Sequence, residues 1–291
     1  MSAHPPDDAD SRRLKRLAQY FLTTEARSRT EVAVFVAKLA ELGPVVAIGG
    51  FLRDLLLSGN RDFRSDVDFV VHPGSLPAFD AFVSQLGAGT NRFGGFGVCL
   101  TSWKVDVWPL QRTWAAVNGH VAVNTLDDLV NATFFDWDAI LYSTDTRTII
   151  TCPDYFRRVR ERVIDVNLEP NPNPLGNAVR ALRYVYRWDA AVGERLAAHI
   201  VRHVRDHGWD ALVASERRSF RNPVLPMLDG ERVATLLEGH IGRGPVRLNI
   251  APVQRDLPLS GGGTDASGDT GCIGGESVVM PEDTGAGCRA G

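Results

Sequence analysis

Two neighbouring stretches decide the fold: Val45-Val46-Ala47-Ile48-Gly49-Gly50-Phe51-Leu52-Arg53-Asp54-Leu55-Leu56-Leu57 and Ser65-Asp66-Val67-Asp68-Phe69-Val70-Val71. In the first stretch, a short β-branched run ends in two glycines and is followed by an amphipathic, leucine-rich segment. This order predicts a strand, a tight turn and a helix. Paired glycines let the backbone approach a ligand closely, and the N–H groups at a helix N-terminus favour phosphate. The turn is therefore a candidate phosphate cradle.

The second stretch carries two acidic residues two positions apart. Side chains alternate across a strand, so Asp66 and Asp68 share one face. The other face is apolar and is formed by Val67, Phe69 and Val71. Adjacent carboxylates repel each other unless a cation lies between them, and Mg²⁺ prefers carboxylate and phosphate oxygens. A phosphate cradle beside a carboxylate pair therefore predicts metal-assisted phosphoryl chemistry.

The bulk properties are those of an ordinary globular protein. The chain has 291 residues, of which 44% are hydrophobic and 23% charged, and a formal net charge of -3. It is long enough for one large or two modest domains. The N-terminal residues lack the basic and apolar regions of a signal peptide, and no apolar run approaches the ~20 residues that span a bilayer. We therefore expect a cytoplasmic protein.

Apolar periodicity and turn residues predict the remaining elements. Helical spacing indicates one or two N-terminal helices, and further helices over 76–86, 126–132, 175–188 and 192–207. Strands are expected over 140–142 and 148–151, and a hairpin over 96–100 and 103–108. In the second arm of that hairpin, Lys104, Asp106 and Trp108 share one face. This places a third carboxylate on a strand, in the same alternating pattern as the first two.

The second half of the chain is rich in arginine. Thirteen of these residues are Arg157, Arg158, Arg160, Arg162, Arg180, Arg183, Arg187, Arg195, Arg202, Arg205, Arg217, Arg218 and Arg221. They form either a solvated surface or a surface that meets an RNA backbone, because clustered cations neutralise phosphates.

Several segments in order resemble the head domain of bacterial tRNA CCA-adding enzymes and poly(A) polymerases, which are polymerase β-like nucleotidyltransferases. The similar segments are Gly49-Gly50-x-x-Arg53-Asp54, Asp66-x-Asp68, Val105-Asp106-Val107, Asn124-Thr125-Leu126-Asp127-Asp128-Leu129, Ala139-Ile140-Leu141-Tyr142, Arg162-Val163-Ile164 and Val179-Arg180-Ala181-Leu182-Arg183. The resemblance covers roughly residues 40–190. The ordered combination is more specific than an isolated Asp-x-Asp.

The resemblance implies an α+β fold, with a nucleotidyltransferase (polymerase β-like) mixed sheet and flanking helices, followed by a small all-α neck and body. It divides the chain into an N-terminal tail and helix over 1–27 and a nucleotidyltransferase head over 28–154. A helical neck and short body follow over 155–250. Residues 251–291 are glycine-rich with few large apolar side chains, and we expect them to be a disordered tail.

The resemblance also implies a catalytic site with two Mg²⁺ ions and a nucleoside triphosphate as substrate. Asp66 and Asp68 would hold the metals, and Asp106 would be the third metal-binding carboxylate, nearest the attacking 3′-hydroxyl. Gly49 and Gly50 would hold the triphosphate. The chemistry agrees, because cations beside the α-phosphate lower the pKa of the hydroxyl and neutralise the departing pyrophosphate.

Four further residues match the family at its nucleotide-binding positions. Arg53 and Asp54 would brace the glycine turn, with Arg53 reaching phosphate; alternatively they are a solvent-facing helix pair. Arg180 matches the last residue of the family's Glu-Asp-x-x-Arg segment, which reads the incoming base. Arg183 matches a further arginine, which the family carries in the following helix.

The chain also departs from the family pattern. Ala132-Thr133-Phe134 stands where the family has an Arg-Arg-Asp associated with the ribose, and Asp138 stands where it has Asn. Gly176-Asn177-Ala178-Val179-Arg180 retains only the arginine of the base-reading segment, and the helical body is short. The metal chemistry can be intact while the choice between CTP and ATP is altered.

Three functions are compatible with these residues. The first is transfer of NMP from ATP or CTP to an RNA 3′ end, with tRNA as the expected partner and pyrophosphate as product. The second is a nucleotidyltransferase with a small-molecule or protein acceptor, as in toxins or defence enzymes. The third is a non-catalytic relative that binds nucleotide or RNA; three retained carboxylates that repel one another argue against it.

Overall fold

A computed structural model describes residues 9–23, 29–59, 66–91 and 93–249. The predicted tail over 251–291 lies outside the described residues. Among the residues described, no helix is both long and apolar enough to cross a bilayer.

Ten α-helices and nine strands are defined within these ranges. The helices are α1 (Ala9–Thr23), α2 (Thr30–Ala40), α3 (Gly50–Ser58), α4 (Leu76–Gln85), α5 (Trp114–Val117), α6 (Tyr155–Arg160), α7 (Pro174–Trp188), α8 (Glu194–His207), α9 (Trp209–Ser219) and α10 (Gly230–Glu238). The strands are β1 (Val45–Ile48), β2 (Val67–Val71), β3 (Gly89–Thr90), β4 (Phe96–Cys99), β5 (Lys104–Pro109), β6 (Ile140–Ser143), β7 (Ile149–Thr151), β8 (Val163–Ile164) and β9 (Ala191–Val192). Short 3₁₀ helices include Leu126–Asn131 and Asp136–Asp138.

The first seven strands form one mixed sheet in the order β3-β4-β5-β2-β1-β6-β7. Only β2 and β5 run parallel; the other neighbours are antiparallel. This mixed sheet with flanking helices confirms the α+β fold class predicted from the sequence. The predicted hairpin is the β4–β5 pair.

The two faces of the sheet are used differently. One face is apolar and packs beneath α1, α2, α3 and α4, with residues such as Val67, Phe69 and Val105 fully buried. The other face has a smaller apolar cluster beneath the 3₁₀ helix Leu126–Asn131. The remainder of that second face carries the predicted carboxylates.

The turn between β1 and α3 depends on glycine. Gly49 has φ +71°, a region that L side chains rarely adopt. Its carbonyl accepts hydrogen bonds from the backbone N–H groups of Leu52 and Arg53, so it closes the first turn of α3. The strand–turn–helix order predicted from the sequence is thus confirmed.

The C-terminal half is a layer of helices beside the sheet. Helix α7 packs against α8 and α9, and α8 packs against α10. Asn173 caps α7 by accepting a hydrogen bond from the Gly176 N–H, and Gly176 leaves room for that cap. The sequence predicted a helix over 192–207, and its predicted start is wrong. Ala191 and Val192 pair with β8 as strand β9, and α8 begins at Glu194.

A buried ion pair joins α7 to α9. Arg183 donates a hydrogen bond to Glu216, and both side chains are at most 1% exposed. Glu216 also accepts hydrogen bonds from the backbone N–H groups of Val224 and Leu225, at 2.9 Å each. Arg183 further donates to the Asn222 carbonyl at 3.0 Å.

We expect Arg183→Met to lower the free energy of unfolding by about 3–5 kcal/mol, because it leaves the Glu216 charge buried without its arginine. The measurement is urea unfolding followed by tryptophan fluorescence. The matched control is Arg218→Met on the exposed face of α9, which should change stability by less than about 0.5 kcal/mol. Equal losses in both variants would show that the ion pair has no special role.

Candidate active site

Strand register brings two of the predicted carboxylates side by side. Asp68 on β2 pairs with Asp106 on β5 and, on its other side, with Ile48 at the end of β1. Cross-strand partners point to the same face and lie about 5 Å apart along the hydrogen-bonding direction. Because Gly49 follows Ile48 directly, the carboxylates stand beside the glycine turn, as the sequence predicts.

Gly97 on β4 completes this row on the far side of Asp106. A Cβ atom at Gly97 would lie 3.2 Å from Asp106 Oδ1, which is tighter than most real Cβ contacts. The missing side chain therefore leaves space for the carboxylate to lie over β4.

Lys104 supplies a cation to the same cluster. Its Nζ atom donates a hydrogen bond to Asp66 Oδ2 at 2.8 Å and lies 3.6 Å from Asp106 Oδ2. Val67 of β2 pairs with Val105 of β5. Asp66 and Lys104 come directly before this pair, and Asp68 and Asp106 come directly after it. The four side chains thus occupy two adjacent rows of a parallel strand pair.

Burial and charge shift the pKa values of this cluster. Burial raises the pKa of the Asp106 carboxyl above its ordinary value, although the Lys104 ammonium opposes the shift. Burial by itself lowers the pKa of Lys104, but the hydrogen bond to Asp66 and the charges of the three aspartates outweigh it, so the pKa of Lys104 is raised. The lysine is firmly protonated at neutral pH.

A cavity of 230 Å³ lies over the carboxylates. It is bounded by the sheet on one side and by α7 and α9 on the other, and its charged lining residues are Arg53, Asp66, Asp68, Asp106, Arg180, Arg183 and Arg187. Three aspartates and four arginines therefore line one space of ligand size.

A second cavity, of 280 Å³, adjoins the first and is open to the glycine turn. It shares Asp68, Phe93, Trp108, Asn173 and Arg180 with the first cavity. Gly49, Gly50, Asp138 and Asn177 line only this one. The two spaces form one cleft, with the carboxylates near its middle.

Arg53, in the first turn of α3, is buried and bonds to residues of two distant elements. Its side chain is 1% exposed and donates to Asp54 at 2.8 Å, Asp138 at 2.5 Å and the Tyr184 hydroxyl at 2.8 Å. The alternative of a solvent-facing Arg53–Asp54 pair is therefore wrong. Asp54 lines neither cavity, whereas Arg53 lines the first.

Arg180 and Arg183 face the same cavity but have different surroundings. Arg180 lines both cavities, donates to the Tyr184 hydroxyl at 3.3 Å and lies 6.0 Å from the Phe135 ring centroid. Arg183 points into the helical layer, where it meets Glu216 and stacks 4.0 Å from the Phe220 ring centroid. Arg180 is thus the better placed of the two to meet a ligand, and a nucleotide contact by Arg183 stays a prediction.

The arginines of the helical half divide into two sets. Those that hydrogen-bond within the protein include Arg195, Arg202 and Arg205, the last with Glu231 and Glu238. Arg217, Arg218 and Arg221 are exposed near the end of α9, where Ser215, Ser219 and Phe220 line the first cavity. We call these three residues the rim arginines.

The donor set of the cleft suits magnesium. Asp66, Asp68 and Asp106 offer hard carboxylate oxygens on one wall of one cavity, and this is the ligand chemistry that Mg²⁺ prefers. Within the described ranges, however, no three acidic, histidine or cysteine side chains are arranged to hold a single ion together. The assignment of these aspartates as metal ligands stays a prediction.

Comparisons of this chain with known proteins bear on its fold. Protein-family models and curated proteins give no match to the sequence. Among solved structures, the chain is similar to the Thermotoga maritima CCA-adding enzyme complexed with tRNA-CCA, with 17% identity and a TM-score of 0.52, over 76% of this chain and 54% of that one. A CCA-adding enzyme in its apo form I gives 18% identity and a TM-score of 0.50, over 75% and 53%.

These similarities confirm the resemblance at the level of the fold. The described structure has the nucleotidyltransferase fold found in the CCA-adding enzyme head. The matched region spans only about half the length of those enzymes.

Several lining residues were not predicted from the sequence. Phe93 lies in a glycine-rich segment without periodicity. Ser215 and Ser219 come from α9, which no apolar pattern indicated, and Phe220 follows that helix directly. Strand alternation did place Lys104 on the carboxylate face, but alternation alone does not reveal an ion pair.

We expect Tyr184→Phe to destabilise the cleft, because the Tyr184 hydroxyl accepts hydrogen bonds from both Arg53 and Arg180. The loss of these hydrogen bonds should lower the free energy of unfolding by about 1 kcal/mol and raise the Kd for ATP or CTP about fivefold. The measurements are urea unfolding and equilibrium binding. Tyr186→Phe on the same helix is the control; a similar rise in Kd there would remove the specific role of Tyr184.

Proposed function

We propose that this chain is a Mg²⁺-dependent nucleotidyltransferase that moves NMP from ATP or CTP to an RNA 3′ end, with tRNA as the favoured acceptor. The observation that supports it is the pairing of Asp68 with Asp106 beside the glycine turn, in a cleft whose opposite wall carries Arg180. Carboxylates facing arginines across a space of this size suit a metal-bound triphosphate.

The proposed reaction is a single displacement at the α-phosphorus. The 3′ oxygen of the acceptor bonds to phosphorus, the bond to the α–β bridging oxygen breaks, and pyrophosphate departs. The Asp106 carboxylate takes the proton of the attacking hydroxyl. Arg180 positions the nucleotide from the opposite wall, and the backbone at Gly50 holds the phosphates at the start of α3. The Gly49 N–H donates to the Ile140 carbonyl, so Gly49 contributes by shaping the turn.

Magnesium, when bound, neutralises phosphate charge and lowers the pKa of the attacking hydroxyl. Asp66 and Asp68 would hold it, and Asp106 would contribute from the neighbouring strand. Arg53 keeps the glycine turn fixed relative to α7 through its bonds to Asp138 and Tyr184. The cleft is thereby preorganised before the substrate arrives, which reduces the cost of reorganisation in the transition state.

An RNA acceptor is favoured by the rim arginines. Arg217, Arg218 and Arg221 stand at the same end of α9 as the residues that line the first cavity. Phosphates of an RNA strand whose 3′ end enters the cleft would pass this edge, where arginines bind them by charge and hydrogen bonds.

A small-molecule or protein acceptor is the second candidate. The second cavity is lined by Ala132, Thr133 and Phe134, which the sequence resemblance aligns with the family's Arg-Arg-Asp associated with the ribose. A changed nucleotide pocket and a short helical body are both compatible with a different acceptor.

The decisive experiment offers the protein each labelled NTP together with total RNA and, separately, with protein and small-molecule extract. We expect label in RNA from ATP or CTP, and about 1,000-fold less with Asp68→Asn, because several kcal/mol of metal-dependent charge stabilisation is lost. Asp127→Asn, an exposed residue of the 3₁₀ helix Leu126–Asn131, is the control. Label in protein or a small molecule would favour the second candidate, and no transfer to any fraction would contradict the proposal.

We expect the triple change Arg217→Ala, Arg218→Ala and Arg221→Ala to weaken RNA binding and to reduce the slope of log K against log salt by about 2, because fewer counterions are released from a single strand. Fluorescence anisotropy at several salt concentrations measures both effects. The matched control is the pair Arg202→Ala and Arg205→Ala, which removes arginines that bond to glutamates. An unchanged slope in the triple variant would exclude the rim as an RNA contact.

A further inference from the structure

Lys104 holds a position in the carboxylate cluster that is suited to a cation. The ammonium bridges Asp66 Oδ2 and Asp106 Oδ2, at 2.8 and 3.6 Å. Asp66 on the β2 side and Asp106 on β5 lie diagonally opposite each other across the strand pair. The Lys104 ammonium lies between these two carboxylates. Its side chain is 24% exposed, and its Nζ is directed at the aspartates rather than at solvent.

A Mg²⁺ ion bridging the same two aspartates would compete for this space. Magnesium needs oxygen ligands at about 2.0–2.1 Å in near-octahedral order, with phosphate and water completing the shell. The ammonium already lies between the oxygens that would supply that bridge. An ion could enter there only if Lys104 swung away, and the swing would place two positive charges close together at the mouth of the cluster.

The presence of a lysine at position 104 also suits a side-chain ammonium that replaces a metal ion. The chain has three lysines among 32 basic residues, and one of the three stands here. An ammonium is a compact point charge on a flexible stem, whereas a guanidinium is a broad planar fork. The ammonium of Lys104 contacts two carboxylates that are held by adjacent strands, at 2.8 and 3.6 Å.

We propose that Lys104 takes the place of one of the two Mg²⁺ ions expected for this fold, so that the chain works with a single Mg²⁺ held by the Asp66–Asp68 pair. This inference rests on the proposed nucleotidyl transfer. The bonds made and broken are unchanged: the 3′ oxygen joins the α-phosphorus, the bond to the α–β bridging oxygen breaks and pyrophosphate leaves, and the hydroxyl proton goes to Asp106. Lys104 stays protonated and stabilises the developing charge on the attacking oxygen.

The number of metal ions that the site binds can be counted directly with Mn²⁺. The full-length protein is mixed with one equivalent of an ATP analogue in which a methylene group replaces the α,β-bridging oxygen, and Mn²⁺ is added. Electron paramagnetic resonance then gives the number of bound ions. It also shows whether two ions are magnetically coupled, as expected for ions about 4 Å apart. Neither reading depends on turnover.

We expect one uncoupled Mn²⁺ in the unaltered protein and two coupled ions in Lys104→Met, which keeps the stem and removes the charge. Lys104→Arg retains the charge and should stay at one ion. Lys38→Met, an exposed lysine of α2, is the control and should also stay at one. Thermal melting by circular dichroism verifies that each variant is folded, and Lys104→Gln replaces Lys104→Met if the latter is not.

Two results would overturn the inference: a coupled pair of ions in the unaltered protein, or a single ion in both neutral variants of Lys104. Failure of the proposed function is a separate result, since it appears as absence of transfer to every acceptor. A step from one ion to two would support the role of Lys104 even then.

Discussion

The parallel pairing of β2 with β5 is the constraint on which the site depends. The chain leaves β2, forms α4 and the β3–β4 hairpin, and returns as β5 alongside the strand it left. The register of this pair is fixed by the apolar face, where Val67, Phe69 and Val105 are fully buried. A shift of one residue would turn every side chain to the opposite face and place aspartates in the core. The same packing that stabilises the sheet therefore places Asp68 beside Asp106.

This arrangement brings like charges together, and the fold compensates for them locally. Burial raises the pKa of Asp106, which shows that its charged form is disfavoured where it stands. Lys104 offsets part of the repulsion through its hydrogen bond to Asp66. The opposite wall adds Arg180 and Arg187 across the cavity. Carboxylates held together in this way favour a cation between them, and this preference is the physical basis of the proposed activity.

Local patterns predicted much of this site, because its main features are local. Alternation along β2 and β5 assigned the carboxylates and Lys104 to one face, and the burial of their neighbours confirms the assignment. The glycine turn was predicted from composition and confirmed by the positive φ of Gly49. Periodicity could not predict the order of the strands, because that order depends on contacts between residues far apart in the chain. The resemblance implied only a mixed sheet.

Interactions between distant elements explain what the sequence did not reveal. Arg53 looks like a surface residue of a short helix, yet it is buried because Asp138 and Tyr184 arrive from elements more than eighty residues further along the chain. The helices α9 and α10 were not predicted, although α9 supplies one wall of the cavity. The identity of a lining residue on α9 has no local signature, because its role is set by the packing of α9 on α7.

Helix α7 links these parts and explains why recognition and stability cannot be separated in this protein. Arg180, Arg183, Tyr184 and Arg187 recur at helical spacing, so they lie on one face and all line the first cavity. Along this face, Arg180 meets the cleft, Tyr184 meets Arg53 of the sheet layer, and Arg183 meets Glu216 of the helical layer. The groups that would position a nucleotide are therefore held by the same helix that joins the two layers. A substitution on this face acts on the cleft and on the packing together, so an effect on nucleotide affinity can be interpreted only beside the free energy of unfolding of the same variant.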